Sequence, residues 1–497
     1  MGQPLICLTL TGKTVNEDLE LIKKYRKHID MVELRADFLD DNEKPFIKKF
    51  PSMAGLPCIL TIRRKIDGGL YTDGEAARSV LFAKALSFVD EDQSKNFAYV
   101  DFEEDFQVAS LQDGALAYGV RVIRSLHDME NPIGNLAQRL EKLKVTDYEI
   151  PKIAFMPESL YDVKHVFDEA AKLKDSNHIL LAMGPMGVAT RILSAKIKNF
   201  LTFTSPGESS SNVAMLGHVD PVLLNEIYHF RSINESTRVY GITGYPLLKT
   251  SSPEIHNAGY IKHGMDAVYI PIASKSFKEV LDFADSVGIK GMSVTIPHKE
   301  AVLEEISDLE KKCREIGACN TIVRSDGGWR GFNTDVSGFT KSLLEFLGEK
   351  NLSRRRVAII GAGGASRAIA YAIKQLKGKA CIFNRTIARA QELAEKYGFC
   401  ACKLGSENMD TLAKYSDIII QTTSVGMNST EASNQENDPL YFYDFTGKEK
   451  VFDIIYVPAV TPMMARAAKA GCKVCNGYDM LRYQGYEQFR IFTDNDY

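Results

Sequence analysis

The chain has 497 residues, a formal net charge of −3 and a pI near 6.4. That length excludes a single ordinary domain and points to about three units, each able to bury a core. The near-balanced charge carries no basic footprint, so nucleic acid is not an expected partner, and no apolar run reaches the length of a membrane span.

The chain enters a strand-like segment at Leu5, with neither a secretory signal nor a Ser/Arg-rich transit segment before it. A cytoplasmic setting is the default expectation, with a plastid open if a transit segment has been removed. Nine cysteines are scattered, and Cys472-x-x-Cys475 lacks a second pair, so reduced thiols rather than a metal or redox centre are expected.

Apolar strand-like runs follow at Leu5–Leu10, Met31–Leu34, Cys58–Ile62, Ala98–Phe102, Arg121–Leu126, Lys152–Met156, Ile179–Met183 and Leu201–Thr204, roughly 20 to 30 residues apart except for about 40 between the third and fourth. Helical patterns such as Val163–Leu173 fill the gaps. Eight such units predict a (β/α)8 TIM barrel over residues 1–231, with its site at the C-terminal ends of the strands. Polar residues fall at those ends: Glu33 and Arg35, Arg63, Glu103 and His127, with Arg191 just beyond the seventh run, while Lys152 lies on the sixth run itself.

Lys152 stands in the apolar run Pro151-Lys152-Ile153-Ala154-Phe155-Met156-Pro157. A lysine attacks a ketone only when neutral, which burial or a nearby cation promotes. Two readings are open, an imine-forming lysine or one snorkelling to the barrel rim. His127, one strand earlier, is either a proton carrier at neutral pH or a structural histidine. Glu33 either fixes the tautomer of His127 or pairs with Arg35.

The polar segment 232–237 reads as a linker. A second rhythm, Val239–Gly241, Ala267–Ile270, Gly291–Ile296 and Asn320–Val323, predicts an α/β substrate domain over 238–342. A third unit, 343–475, opens on Val357-Ala358-Ile359-Ile360-Gly361-Ala362-Gly363-Gly364-Ala365-Ser366, a strand feeding a dinucleotide-binding turn with serine in the third glycine position. It predicts a Rossmann domain, completed by a C-terminal helix over 476–497. The next strand ends in Asn384-Arg385-Thr386, with Arg389 beyond and no carboxylate, which favours the 2′-phosphate of NADP over NAD.

Glu33-Leu34-Arg35-Ala36-Asp37, Thr61-Ile62-Arg63, Ser125-Leu126-His127-Asp128 and the Lys152 run resemble the motifs of type I 3-dehydroquinate dehydratases. The resemblance implies that Lys152 forms an imine with the substrate ketone, His127 moves the protons and Glu33 orients His127. It implies that Arg35, Arg63, Glu103 and Arg191 bind substrate. The family's Ser-Ala-Pro-Gly-Gln loop is matched to Thr204-Ser205-Pro206-Gly207-Glu208, which makes Thr204 and Glu208 further substrate contacts.

From residue 238 onward, Gly241-Ile242-Thr243-Gly244, Thr250-Ser251-Ser252-Pro253, Ser293-Val294-Thr295-Ile296-Pro297-His298-Lys299, Gly317-Ala318-Cys319-Asn320-Thr321, Asn333-Thr334-Asp335, Thr423-Ser424-Val425-Gly426-Met427 and Met480-Leu481-Arg482-Tyr483-Gln484 resemble shikimate dehydrogenases. This resemblance implies Lys299 and Asp335 as the catalytic pair. Thr250 and Ser252 would bind the substrate carboxylate, and Thr295, Asn320 and Gln484 its ring hydroxyls. Gly361, Ala362, Gly363, Gly364, Ala365, Ser366, Asn384, Arg385, Thr386, Arg389, Thr423, Ser424 and Met427 would hold NADP. The two resemblances together imply a bifunctional shikimate-pathway enzyme acting on 3-dehydroquinate and then on 3-dehydroshikimate. Rival expectations are a second half acting on quinate, and a regulator that binds these metabolites without turnover.

Overall fold

The computed structural model describes residues 2–87, 90–173, 177–207, 216–247 and 250–497. Its residues group into two compact units, 1–241 with 260–289, and 242–259 with 290–497.

In the first unit, β1 (Leu5–Leu10), β2 (Met31–Arg35), β3 (Cys58–Thr61), β4 (Tyr99–Glu103), β5 (Arg121–Asp128), β6 (Ile150–Phe155), β7 (Ile179–Ala182) and β8 (Leu201–Thr204) pair in parallel, in the order β7-β6-β5-β4-β3-β2-β1-β8. Each expected strand is present, and the sheet curls into a near-barrel of the TIM type. Side chains alternate across a strand, so every second residue points inward. Cys7, Met31, Ile59, Ile123, Ile150, Ile179 and Leu201, with Tyr99 against them, make an apolar floor.

Between β7 and β8 closure depends on a side chain. A parallel bridge joins His178 to Asn199, and Phe200 N–H donates to the His178 carbonyl at 2.8 Å. The Asn199 carboxamide accepts from Leu180 N–H at 2.8 Å and donates to Leu180 C=O at 3.0 Å, as a backbone peptide would. Asn199 is 3% exposed, so water cannot replace it.

The helix Leu160–Ala170 follows β6, started by a capping box in which the Asp162 carboxylate accepts from Ser159 N–H at 2.9 Å. The helix Phe277–Val287 packs on it within the same unit. Phe283 meets Phe167 edge-on with ring centroids 5.6 Å apart, and Glu279 accepts from Leu160 N–H at 2.9 Å.

A second sheet holds β9 (Arg238–Gly244), β10 (Ala267–Ala273), β11 (Gly291–Val294), β12 (Asp308–Leu309), β13 (Thr321–Ser325) and β14 (Gly328–Phe332), in the order β10-β9-β11-β13-β14-β12. A third holds β15 (Arg356–Ile360), β16 (Lys379–Asn384), β17 (Cys400–Lys403), β18 (Ile418–Gln421), β19 (Lys450–Asp453) and β20 (Lys473–Cys475), in the order β17-β16-β15-β18-β19-β20. It is parallel throughout and buried on both faces. Val357 and Ile359 pack with Ala368, Ile369 and Phe339 on one side, and Ala358 and Ile360 with Phe383 and Met463 on the other. The order reverses between β15 and β18, which opens a crevice at the carboxyl ends of those strands.

Replacing Asn199 by alanine strands two buried backbone groups, at a cost of about 2–4 kcal/mol. Thermal unfolding of Asn199→Ala should shift down accordingly, with faster amide exchange at Leu180; unchanged exchange there would show that the seam closes without the side chain.

Candidate active sites

The barrel cavity arises by stepping two residues beyond the apolar floor. Thr9, Glu33, Thr61, Asp101, Ser125, Lys152, Leu181 and Phe203 come next on their strands, and Arg35, Arg63, Glu103, His127, Ala154 and Met183 follow. The cavity measures about 530 Å³ including its open mouth, and both Lys152 and His127 line it.

Lys152, 5% exposed, donates to Asp101 Oδ2 at 2.9 Å, with its ammonium 4.4 Å from the centre of the Phe203 ring. Asp101 Oδ1 meets Arg63 Nη2 at 2.9 Å and accepts from Ser125 Oγ at 2.5 Å. Arg63 Nη1 reaches Glu103 at 2.7 Å, and Arg78 holds the other Glu103 oxygen at 2.7 Å. Burial opposes the charge on Asp101, but Arg63 and then Lys152 outweigh it and hold the carboxyl well below the usual range. Burial likewise opposes Arg63, and Asp101 with Glu103 holds its guanidinium above the ordinary value.

His127 is pushed well below the usual imidazole range by burial, then by Arg63 and Lys152. Its Nδ1 has no partner among the described residues. Arg191 is pulled down to about 9 by burial. Its Nη2 donates to Leu216 C=O at 2.8 Å, while Nε and Nη1 have no partner among the described residues. A neutral imidazole and a half-free guanidinium therefore face one cavity.

Several expected roles meet a different geometry. Glu33 does not bond His127; Thr9 and Thr61 donate their hydroxyls to its carboxylate at 3.1 and 2.9 Å. Arg35 lines the cavity, but its Nε and Nη2 already grip Asp37 at 2.9 and 2.7 Å. Glu103 is not among the cavity residues, because two arginines bracket it. Thr204 is fully buried, with its hydroxyl on the Cys7 carbonyl at 3.1 Å, and does not line the cavity. Glu208 lies outside the described residues. Sequence reasoning missed Asp101, Ser125, Asp67 and His218; Asp67 and His218 line the cavity. For Asp101 and Ser125 the signal was available, since each stands two residues from a residue already singled out.

In the second unit Lys299 Nζ donates to Asp335 Oδ2 at 2.5 Å. The Asn320 amide nitrogen lies 3.0 Å from each of Asp335 Oδ1, Thr334 Oγ1 and Gln484 Oε1, which share its two N–H groups, and its oxygen accepts from Thr334 N–H at 2.8 Å. Lys299, Asp335, Asn320 and Gln484 thus form one network, with Thr334 as a member not assigned from the sequence. Thr250 and Ser252 pair with each other, Oγ to Oγ, at 3.1 Å. Thr295 is placed by its N–H on Thr243 C=O at 2.9 Å, and a side chain on Gly244 would strike its methyl at 2.5 Å.

The glycine turn lies beside this network. A side chain on Gly364 would reach 3.4 Å from Lys299 Cβ, whereas one on Gly363 would meet open space. Gly361 has φ +117°, and its Cβ would lie 2.5 Å from Thr422 Oγ1, so glycine is required there. Ser366 accepts from Gly363 N–H at 3.0 Å and bonds Thr422 Oγ1 at 2.7 Å, which ties the turn to the end of β18. The first-turn amides of Gly364 and Ala365 lack intrahelical acceptors and, with Ala362 before them, suit a pyrophosphate. Asn384 donates to Thr386 C=O at 2.9 Å. Arg385 and Arg389 are exposed, and neither forms an ion pair among the described residues. Gln421 accepts from Thr423 N–H at 2.5 Å and braces the loop that carries Ser424 and the half-exposed Met427. These features fit a dinucleotide with a 2′-phosphate. Cys472 and Cys475 have separate partners, Glu449 and the Asn476 carbonyl.

Residues 6–235 match the type I 3-dehydroquinase family. Residues 242–322 match the shikimate dehydrogenase substrate binding domain, and 344–445 the shikimate/quinate 5-dehydrogenase family. The chain is 33% identical to the chloroplastic bifunctional 3-dehydroquinate dehydratase/shikimate dehydrogenase of Arabidopsis thaliana, covering 98% of this chain and 82% of that protein. Its second half is 39% identical to the shikimate dehydrogenase (NADP(+)) of Methanothermobacter thermautotrophicus, over 53% of this chain and 94% of the relative. It is 37% identical to that of Thermococcus kodakarensis, over 52% and 91%. With the barrel site and the dinucleotide crevice carried in series, the chain belongs to the bifunctional 3-dehydroquinate dehydratase/shikimate dehydrogenase family.

Proposed function

We propose that the chain dehydrates 3-dehydroquinate to 3-dehydroshikimate in the barrel, and reduces that product to shikimate with NADPH in its second half. The observation that carries the first step is the buried Lys152–Asp101–Arg63 network beneath His127 Nδ1 and Arg191 Nε and Nη1, which have no partner among the described residues. Lys152 Nζ adds to the substrate ketone and water leaves, forming an imine. The imine draws electrons from the adjacent carbon, so His127, neutral at working pH, removes a proton there. His127 then gives that proton to the hydroxyl one carbon further, which leaves as water, and hydrolysis of the imine frees Lys152. Arg191 meets the substrate carboxylate with its open N–H groups.

In the second half, Asn320, Gln484 and Asp335 hold ring hydroxyls beside Lys299. Lys299 stabilises the developing alkoxide and protonates it. Bound NADPH would supply the hydride, and Arg385 and Arg389 would hold its 2′-phosphate. A cytoplasmic setting, or a plastid one as in the plant relative's name, suits nine unpaired thiols.

Adding 3-dehydroquinate to the purified chain with NADPH should cause NADPH oxidation, which requires both steps. Lys152→Ala should lower dehydration by about a thousandfold or more and spare reduction of 3-dehydroshikimate, and Lys299→Ala should do the reverse. Loss of both activities from either change would refute separate sites.

Arg385→Ala with Arg389→Ala should raise KM for NADPH by about tenfold or more and leave that for NADH nearly unchanged. Equal effects on the two cofactors would remove the 2′-phosphate role.

His127 is depressed, so its basic form persists below the ordinary imidazole pKa of 6.5. The kcat/KM of dehydration should therefore stay level as pH falls from about 8 through that value. A titration centred there would mean that burial does not hold His127 neutral in the free enzyme.

A further inference from the structure

All nine cysteines are free thiols, and three of them meet at one edge of the third sheet. β17 is the outermost strand there and pairs in parallel with β16, with Cys400 opposite Cys381 and Cys402 opposite Phe383. Side chains alternate along a strand, so Cys381, Cys400 and Cys402 share one face, where they pack with Leu412 and Tyr415. Cys381 Sγ lies 3.8 Å from Cys402 Sγ. Opposite residues on neighbouring strands stand about 4.8 Å apart, within the span of about 4.4–6.8 Å that a disulfide bridges. Cys381 is fully buried, whereas Cys400 and Cys402 on the edge strand are half-buried and open to small solutes.

The other thiols lack this combination. Cys7, Cys58, Cys313 and Cys319 are fully buried. Cys472 and Cys475 have separate partners, Glu449 and the Asn476 carbonyl. Within the cluster the ionisation is uneven. The bond from the Cys381 thiol, joined by the Tyr415 hydroxyl and Lys414, brings the Cys400 thiol down to about 6 in spite of burial. The same bond, and then burial, raises Cys381. The thiolate is the nucleophilic form of cysteine, and a partly exposed thiolate beside a second thiol is open to two-electron oxidation.

We propose that Cys400 is a hydroperoxide-reactive thiol and that Cys381 closes a disulfide onto it, tying the edge strand β17 to β16. The Cys400 thiolate attacks one oxygen of hydrogen peroxide. The O–O bond breaks, the other oxygen leaves as hydroxide and takes up a proton to become water, and Cys400 becomes a sulfenic acid. Cys381 sulfur then attacks Cys400 sulfur. The S–O bond breaks, the S–S bond forms, and the hydroxyl leaves as water with the Cys381 proton. Two thiols are oxidised to one disulfide while one peroxide is reduced to two waters. This chemistry is independent of both proposed reactions.

The test uses the full-length chain, reduced, freed of reductant and treated with hydrogen peroxide. Thiols titrated in denaturant should fall by two from the nine of the untreated chain. Peptide mapping without reductant should find Cys381 joined to Cys400, and dithiothreitol should restore the lost pair. Cys400→Ser should slow thiol loss about tenfold or more, and Cys472→Ser should leave it unchanged. Cys381→Ala should form no disulfide and should instead let a dimedone probe trap the sulfenic acid on Cys400. Cys400→Ser, at a half-buried position, keeps the test decisive if the buried alanine variant fails to fold. Retention of all nine thiols, equal loss in Cys400→Ser, or a bond that omits Cys400 or Cys381 would overturn the proposal.

Discussion

A lysine can stand in the middle of a barrel only if its charge is answered there, and the arrangement around Lys152 follows from that need. Its partner Asp101 is itself buried and requires a second cation, which Arg63 supplies; Arg63 draws in Glu103, and Glu103 draws in Arg78. The result is an alternating row of five charges in which each carboxylate touches two cations. Such a row is costly to desolvate, and the loss of any member leaves an uncompensated buried charge. It also explains why Glu103, polar and near the strand end, belongs to the wall rather than the substrate surface. The row leaves His127 Nδ1 and part of Arg191 without partners among the described residues, and the proposed dehydration draws on both.

The two active sites use the same residue pair to different ends. Lys152 and Asp101 lie 2.9 Å apart, and Lys299 and Asp335 2.5 Å apart. Around Lys152 the other neighbours are an aromatic ring and fixed charges, a setting that suits the covalent attachment proposed for it. Lys299 sits instead beside a network of amides and hydroxyls from Asn320, Thr334 and Gln484, a setting that suits the polyhydroxylated ring and proton-carrying amine of the proposed reduction. Identical side chains thus acquire distinct chemistry from the polarity of their surroundings.

Much of this was legible in the order of residues. The eight barrel strands stood out because each is a short apolar run at a regular interval, and Lys152 because a charge interrupts one of them. The glycine turn was legible from its strand-to-helix context, and Ser366 in the third position now has a reason, since its hydroxyl joins the turn to Thr422. Other features were hidden for identifiable causes. Asp101 reads as an ordinary strand carboxylate until the neighbouring strand places Lys152 beside it. Two glycine-bearing segments follow β8, and proximity to the strand favours Thr204–Glu208; only the return of the chain, through the Thr204–Val219 bridge, brings Gly217 and His218 to the cavity. The seam at Asn199 was equally invisible, because a side chain that imitates a peptide leaves no periodic mark.

The stacking of floor and charged layer, two residues apart along every strand, has a consequence for how such a barrel can change over generations. A point substitution in one layer alters that layer alone. A single-residue deletion within β6 before Lys152 would rotate every later side chain of the strand to the opposite face, sending the ammonium outward among the helices and Ile153 into the charged row. Length variation is therefore tolerated between the strands rather than within them.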